Sequence, residues 1–399
     1  MSTAANSTST AAAGRDVDAI AATLPATNTT GLSPARGGPH LRPVWRVTVN
    51  GQDISARVAP RLVSLTITDN RSQDADEVEL VISDHDGRVA LPSTGDTLTV
   101  AVGWVADTTG APGQAGAAAA GGFPLGLVDK GSYTIQAVEY SGAPDTITLR
   151  AHAANLLDGL RQLREISYHQ TTLGQIVAAI ALRNGLKHSI DKAVGARKVK
   201  HADQAQESDA SFLRRLANTF DCIATVKAGT LLLSQKRLPR TPSGKALPPV
   251  LLVRSTGDSH RYARADRDSY SGVRCWYNNH KTGKRTAVVA GITGRAKDLR
   301  TTYASESDAL AAARAEWARV QRGIFSFEIT LAYGRADLGP QRPVVVRGYK
   351  PQIDATPWLI TGVRHTLAGG GYTSTLTLET LQAEGVEGGD EAGDNFDPE

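Results

Sequence analysis

Apolar and polar residues alternate along several early stretches of the chain. Trp45, Val47 and Val49 alternate with Val44, Arg46 and Thr48, and Asn50-Gly51 follows as a turn signal. In residues 62–68, Val63, Leu65 and Ile67 fall on one face, and Leu62, Ser64, Thr66 and Thr68 on the other. Val78, Leu80 and Ile82 form a third set, and Leu98, Val100, Val102 and Trp104 a fourth. A period of two predicts strands with one buried and one wet face. Tyr133, Ile135 and Val138 restart extended structure after a break, and residues 146–150 continue it.

The period then changes. Residues 153–163 form a short amphipathic helix candidate. Leu173, Ile176, Val177, Ile180 and Ala181 share one helical face, with Thr172 and Gln175 as a capping-box pair and Gly185 at the end. A second helix is predicted over 208–220, capped by Ser208 and carrying Phe212, Leu213, Leu216 and Phe220. Residues 223–227 and 230–234 read as a hairpin around Ala228-Gly229, and 236–249 as a Pro- and Lys-rich loop. Strands resume at 272–277 and 286–289. A third helix starts at Ser305, with Asp308 three residues on, and carries Leu310, Ala313, Trp317 and Val320 inward. The periods of 324–333, 343–349, 358–365 and 372–381 are those of strands.

Strand runs separated from helix runs predict an α+β fold, not an alternating parallel sheet. The expected division is a first β domain over 41–150, a mixed helix and hairpin region over 151–265, and a second β domain with one helix over 266–382. No short internal repeat accompanies it. Residues 1–40, rich in Ser, Thr, Ala and Gly, bury too little apolar surface to offset their ordering entropy and are expected to be disordered. Residues 106–122 read as a flexible loop at a hairpin tip.

Charge adds an acidic terminus to this picture. Residues 384–399 hold seven acidic residues and no Lys or Arg, so 383–399 reads as a solvated acidic tail. Residues 1–383 are left with 44 basic against 33 acidic residues, a balance of +11. Such a body suits an acidic partner or nucleic acid, but no basic patch interleaved with aromatics appears, and a spread over the solvated surface is the simpler reading. No apolar run approaches the roughly 18 residues of a membrane helix, so no membrane insertion is expected. No apolar stretch follows a basic start, so no secretory signal is expected either. Cys222 and Cys275 lie far apart and read as reduced, buried thiols, not as a disulfide framework or metal knuckle.

Candidate chemistry is sparse. No HExxH, GxSxG, GxxxxGK or CxxC pattern occurs. Asp84-His85-Asp86-Gly87 resembles the start of a calcium loop, but the remaining ligand positions are missing, and a polar turn accounts for it. Asp69-Asn70 and residues 74–77 offer neighbouring carboxylates without any sign of a substrate cleft. Nine scattered histidines, His152, His169 and His365 among them, read as structural. No catalytic, cofactor-binding or metal-binding residue is therefore assigned.

One segment is more specific. Gln204, Glu207, Ser208, Asp209, Phe212, Leu213, Arg215 and Leu216, followed by Ala217, resemble the Q-x-x-E-S-D-x-x-F-L-x-R-L-A pattern of phage late control gene D proteins and of the hub region of VgrG spike proteins. Locally, Ser208 caps a helix, Glu207 and Asp209 favour its positive end, Phe212, Leu213 and Leu216 form the buried stripe, and Arg215 lies off it, free to meet a carboxylate. The resemblance continues through residues 65–70, 74–76, 82–87, 92–98 and 167–174, then Trp358, His365 and Gly371-Tyr372, and spans about 44–382 in matching order.

The resemblance implies a hub fold of two β-barrel-like domains around the mixed middle region. It implies a homotrimeric ring of pseudo-sixfold symmetry, joining a hexameric tail tube protein to a trimeric central spike beside the baseplate wedge components. It also implies assembly in the bacterial cytoplasm into a phage tail or a contractile injection particle, with no cofactor. About eighteen residues follow Leu381, too few for the needle that VgrG carries, so a separate spike chain is expected. Two rival readings are a tail-tip cell-wall hydrolase and a basic nucleic-acid-binding protein.

Overall fold

The computed structural model describes residues 40–71, 76–107, 125–153, 158–227, 229–236, 239–241, 243–264, 270–279, 282–292 and 294–381. The expectations for 1–39, 383–399 and 108–122 lie outside these residues. His40 opens a strand, and Ala106 and Asp107 close another, so both expected flexible segments were drawn slightly too wide.

The strands are β1 (His40–Val49), β2 (Gln52–Asp53), β3 (Leu62–Asn70), β4 (Glu77–Ser83), β5 (Thr97–Asp107), β6 (Gly126–Ser141), β7 (Thr146–Ala153), β8 (Leu163–Thr172), β9 (Lys187–Ile190), β10 (Lys198–Ser208) and β11 (Cys222–Lys227). They continue as β12 (Thr230–Gln235), β13 (Val250–Val253), β14 (Ser259–Arg264), β15 (Gly272–Asn278), β16 (Arg285–Gly291), β17 (Ala296–Tyr303), β18 (Phe325–Leu331), β19 (Pro343–Arg347), β20 (Trp358–Ala368) and β21 (Gly371–Thr380). Among the described residues, three helices exceed one turn: α1 (Leu173–Arg183), α2 (Asp209–Thr219) and α3 (Glu306–Gly323). The protein is mostly β-sheet with few helices.

Contacts group the chain into two compact units. The first draws on Met1–Leu157, Leu247–Arg261 and Phe327–Leu378. Its backbone is a 13-stranded sheet in the order β14-β18-β21-β20-β3-β4-β7-β6-β5-β1-β2, with β19 beside β20 and β13 beside β19. The step from β20 to β3 joins segments almost three hundred residues apart, with Leu367 opposite Leu65 and His365 opposite Ile67. Leu65, Ile67, Val78, Leu80, Leu98 and Val102 are fully buried in one cluster with Tyr133, Ile135 and Tyr372. Each such side chain contributes about 1.5–3 kcal/mol.

Two irregularities explain where alternation fails. The β3/β4 register slips between Leu62 and Ser64, and Val63 is turned out, 45% exposed, instead of joining Leu65 and Ile67 inside. A bulge in β6 between Ile135 and Ala137 accounts for the jump in apolar spacing from Ile135 to Val138.

The second unit draws on Asp158–Ala246, Tyr262–Ser326 and Glu379–Glu399. Here β8 and β10 form a two-stranded antiparallel sheet, and β11-β12-β9 a three-stranded one. Leu173, Ile176, Val177 and Ile180 of α1 pack with Phe212, Leu213 and Leu216 of α2 and with Leu231 and Leu233 of β12. Thr172 and Gln175 close the capping box of α1, and Gly185, past its end, has φ +65°. Of the helix expected over 153–163, the described residues hold a single turn, Asp158–Arg161; Ala153 still belongs to β7, and Leu163 already pairs with Ser208 in the β8/β10 ladder. In α3 the buried face is Ala309, Ala312, Ala313, Ala315 and Ala318. Leu310 and Val320 are only half-buried, and Trp317 packs at the cluster margin, because small alanines let the helix lie close on β15 and β16.

The observed grouping cuts across the division expected at 150/151 and 265/266. Strands β19 to β21 belong to the same sheet as β1 to β7, whereas β15 to β17 and α3 fall in the second unit. Sheet pairing, not chain order, decides the grouping.

Candidate functional site

The segment singled out by sequence runs from the end of β10 into α2. β10 alternates from His201 to Ala205, with Ala202 and Gln204 buried and His201, Asp203 and Ala205 exposed. A register shift between Gln204 and Glu207, with Gln206 at φ +49°, then re-aims the chain. Glu207 is therefore still in the strand and not in the first turn of α2. Ser208 is the N-cap, its hydroxyl accepting from Ser211 N at 3.2 Å.

Asp209, the first helical residue, is fully buried. Its carboxylate accepts from Arg183 Nε at 2.9 Å and from Arg183 Nη2, from Asn184 Nδ2 at 2.8 Å and from Gln204 Nε2 at 2.8 Å. Arg164 approaches at 3.5 Å. Burial pushes the Asp209 pKa up, but the hydrogen bonds from Arg183, Gln204 and Asn184 and the Arg183 charge outweigh it and hold the carboxyl below its usual range. Arg183 also donates to Tyr168 Oη at 2.9 Å, and Tyr168 stacks on Phe212 at 5.5 Å. Gln204 bonds the Glu207 carbonyl at 2.9 Å, which pins the β10 turn to the helix start.

Arg215 meets Glu207, Nη2 to Oε2 at 2.8 Å, and lies over the Phe212 ring at 5.1 Å. The eight motif residues thus come together, but as a structural clasp with its charge buried, not as a cleft. Sequence reasoning missed Arg183, Asn184 and Tyr168, which hold Asp209 from α1 and β8. The only local signal was an Arg-Asn-Gly run ending α1.

The first unit has its own polar interior. Lys130 pairs with Asp69 at 3.1 Å, and both side chains are largely buried. His365 is fully buried, with Nδ1 2.8 Å from Ser374 Oγ and 3.1 Å from Tyr372 Oη. Burial, aided by the Lys130 charge, pushes the His365 pKa down to about 3, so the ring is neutral. Trp104 Nε1 donates to Gly334 O at 2.7 Å, and a side chain at Gly334 would strike the Tyr372 ring. These groups lock β3, β5, β6, β20 and β21 around shared interior contacts.

Comparison with known proteins places this arrangement. The sequence model of the family described as phage tail baseplate hub (GPD) matches residues 77–371. A protein of Escherichia phage 186, described as a "Probable baseplate hub protein", is 38% identical over 383 residues, 86% of this chain and 94% of that protein. The chain belongs to the phage tail baseplate hub family. The 43 kDa tail protein of prophage MuSo2 from Shewanella oneidensis shares the fold of this hub-family chain. Its TM-score is 0.59 at 14% identity, over 84% of this chain and 97% of that one. The lidded Francisella PdpA–VgrG complex gives 0.51 at 7% identity, over 87% of this chain and 54% of that one. At such identities the likeness is one of fold.

The remaining candidates take structural places in this hub-family chain. Asp86 is held by Arg61, Nη1 to Oδ1 at 2.6 Å, which keeps its carboxyl well below the usual range, and Asp84 accepts from Val89 N at 3.0 Å. The Asp84–Gly87 stretch is a polar turn with Gly87 at φ +65°. Among the described residues, no group of three or more His, Cys, Asp or Glu is placed to hold a metal ion. Cys222 and Cys275 are free and buried, and burial raises both thiols to about 12. Among the described residues, no helix is long and apolar enough to cross a membrane.

Proposed function

We propose that this chain is the central hub of a contractile phage-type tail. Three copies form a ring of pseudo-sixfold symmetry between the hexameric tail tube and a trimeric spike, beside the baseplate wedge proteins. The work is mechanical: the ring adapts sixfold to threefold symmetry, caps the tube and transmits contraction. Assembly takes place in the bacterial cytoplasm, without membrane insertion or specific nucleic-acid binding. A closed ring suits this task because every subunit edge meets a neighbour.

The observation that carries the reading is the similarity to a described hub protein over 94% of that protein's length. The candidate carboxylates support a role without catalysis, since Asp69, Asp86 and Asp209 are each engaged by a cation. Native mass spectrometry of the chain co-expressed with its tube and spike proteins tests it. The expected complex contains three copies; a monomer or a hexamer joined to both partners contradicts the reading.

A further inference from the structure

His169 on β8 and His201 on β10 stand directly opposite each other in the two-stranded sheet. Their Nδ1 atoms are 3.0 Å apart, whereas the ring centroids are 4.6 Å apart, so the rings lean towards each other nitrogen first. His201 Nε2 lies 2.7 Å from Asp203 Oδ2, and the Ser167 hydroxyl shares the same carboxylate. The hub clasp uses none of these side chains, and both histidines are open to solvent.

The hydrogen bonds assign the tautomers. Asp203 is acceptor-only when ionised, so His201 carries its proton on Nε2 and presents a bare lone pair at Nδ1. His169 fills that lone pair with its own Nδ1 proton. A carboxylate behind an imidazole whose other nitrogen is free is also the usual support of a metal-binding histidine. Two nitrogens bound at right angles, each about 2.1 Å from an ion, are about 3.0 Å apart; a tetrahedral pair needs roughly 3.4 Å. The observed separation is the ordinary length of the hydrogen bond between the rings, and an ion bound at right angles would take its place without moving either strand.

We propose that His169 and His201 form a surface site for a late first-row divalent transition-metal ion, with Asp203 as the residue that positions His201. The right-angle geometry and imidazole donors favour copper(II) and nickel(II) over zinc. On binding, the His169 proton passes from Nδ1 to Nε2 through solvent, so that both Nδ1 lone pairs reach the ion and no net proton is released. Water fills the remaining positions, and the ion staples β8 to β10 in register.

Copper(II) titration of the full chain, followed by calorimetry and electron paramagnetic resonance, tests the site. The expected result is one ion per chain with two nitrogen ligands in the spectrum. H169N and H201N each lower the affinity at least tenfold, and D203N lowers it about tenfold through orientation alone. All three side chains are exposed, so the substitutions leave the cores intact. Wild-type affinity and stoichiometry in H169N and H201N would overturn the proposal. A wild-type spectrum with a single nitrogen ligand would overturn it without recourse to any variant.

Discussion

Replacing Asp209 with Asn keeps the shape of the clasp and removes its charge. The new amide replaces one of the two oxygens by an NH2 donor, which opposes Arg183 and either Gln204 or Asn184, whichever donated to that oxygen in the wild type. Breaking a buried ion pair from one side costs about 3–5 kcal/mol. The Arg183 side chain is 21% exposed while that of Asp209 is fully buried, so water relieves part of the loss on the arginine side. The expected cost is therefore at the low end, about 3 kcal/mol. Hydrogen exchange of the α2 amides reads this locally, as an opening roughly a hundredfold easier in D209N. The assay belongs near neutral pH. The folded pKa of Asp209 is lowered, so its contribution is complete above the unfolded value of about 3.9 and is lost as pH falls through the folded value. In the R183M background the same substitution should cost much less, because the charge it removes has already lost its main partner. Exchange in D209N within about threefold of wild type would refute the clasp as a source of stability.

Phe212 is fully buried and stacked on Tyr168, so F212A is expected to lose about 3–5 kcal/mol in urea unfolding; an unchanged midpoint would contradict its core role. His365 binds a proton less readily folded than unfolded, since its pKa falls from 6.5 to about 3. Stability is then intact above pH 6.5 and is lost as pH falls between these values, by about 2–3 kcal/mol from pH 6.5 to 4.5. Urea midpoints should show that loss in wild type and a smaller one in H365Q; equal slopes would exclude the buried ring as the cause. Cys222 and Cys275, raised to about 12 by burial, should resist iodoacetamide at pH 8 until the chain unfolds, as mass spectrometry of the alkylated protein will show.

Local physics made much of the fold readable. The inward sets of β3, β4 and β5, the capping box of α1, the cap of α2 and the β11/β12 hairpin all follow from residues close in sequence. Long-range pairing did not. Nothing within residues 62–70 says that β20 lies beside β3, so the expected domain division followed chain order. The β8/β10 sheet escaped notice because its strands are mostly polar outside, with His169, Gln170, His201 and Asp203 in place of an apolar alternation. The alanine face of α3 was hidden behind the larger Leu310, Trp317 and Val320. The motif was legible as a string, and Ser208 and Phe212 as cap and core. That Glu207 remains in a strand, and that Asp209 is gripped by the end of α1, depends on a bulge and on a neighbouring helix that no local pattern encodes.

Cryo-electron microscopy of a purified particle, with this chain labelled, tests the central claim most directly. The account predicts three copies at the junction between the sixfold tube and the threefold spike. Six copies at that level, or a label found elsewhere in the particle, would contradict it.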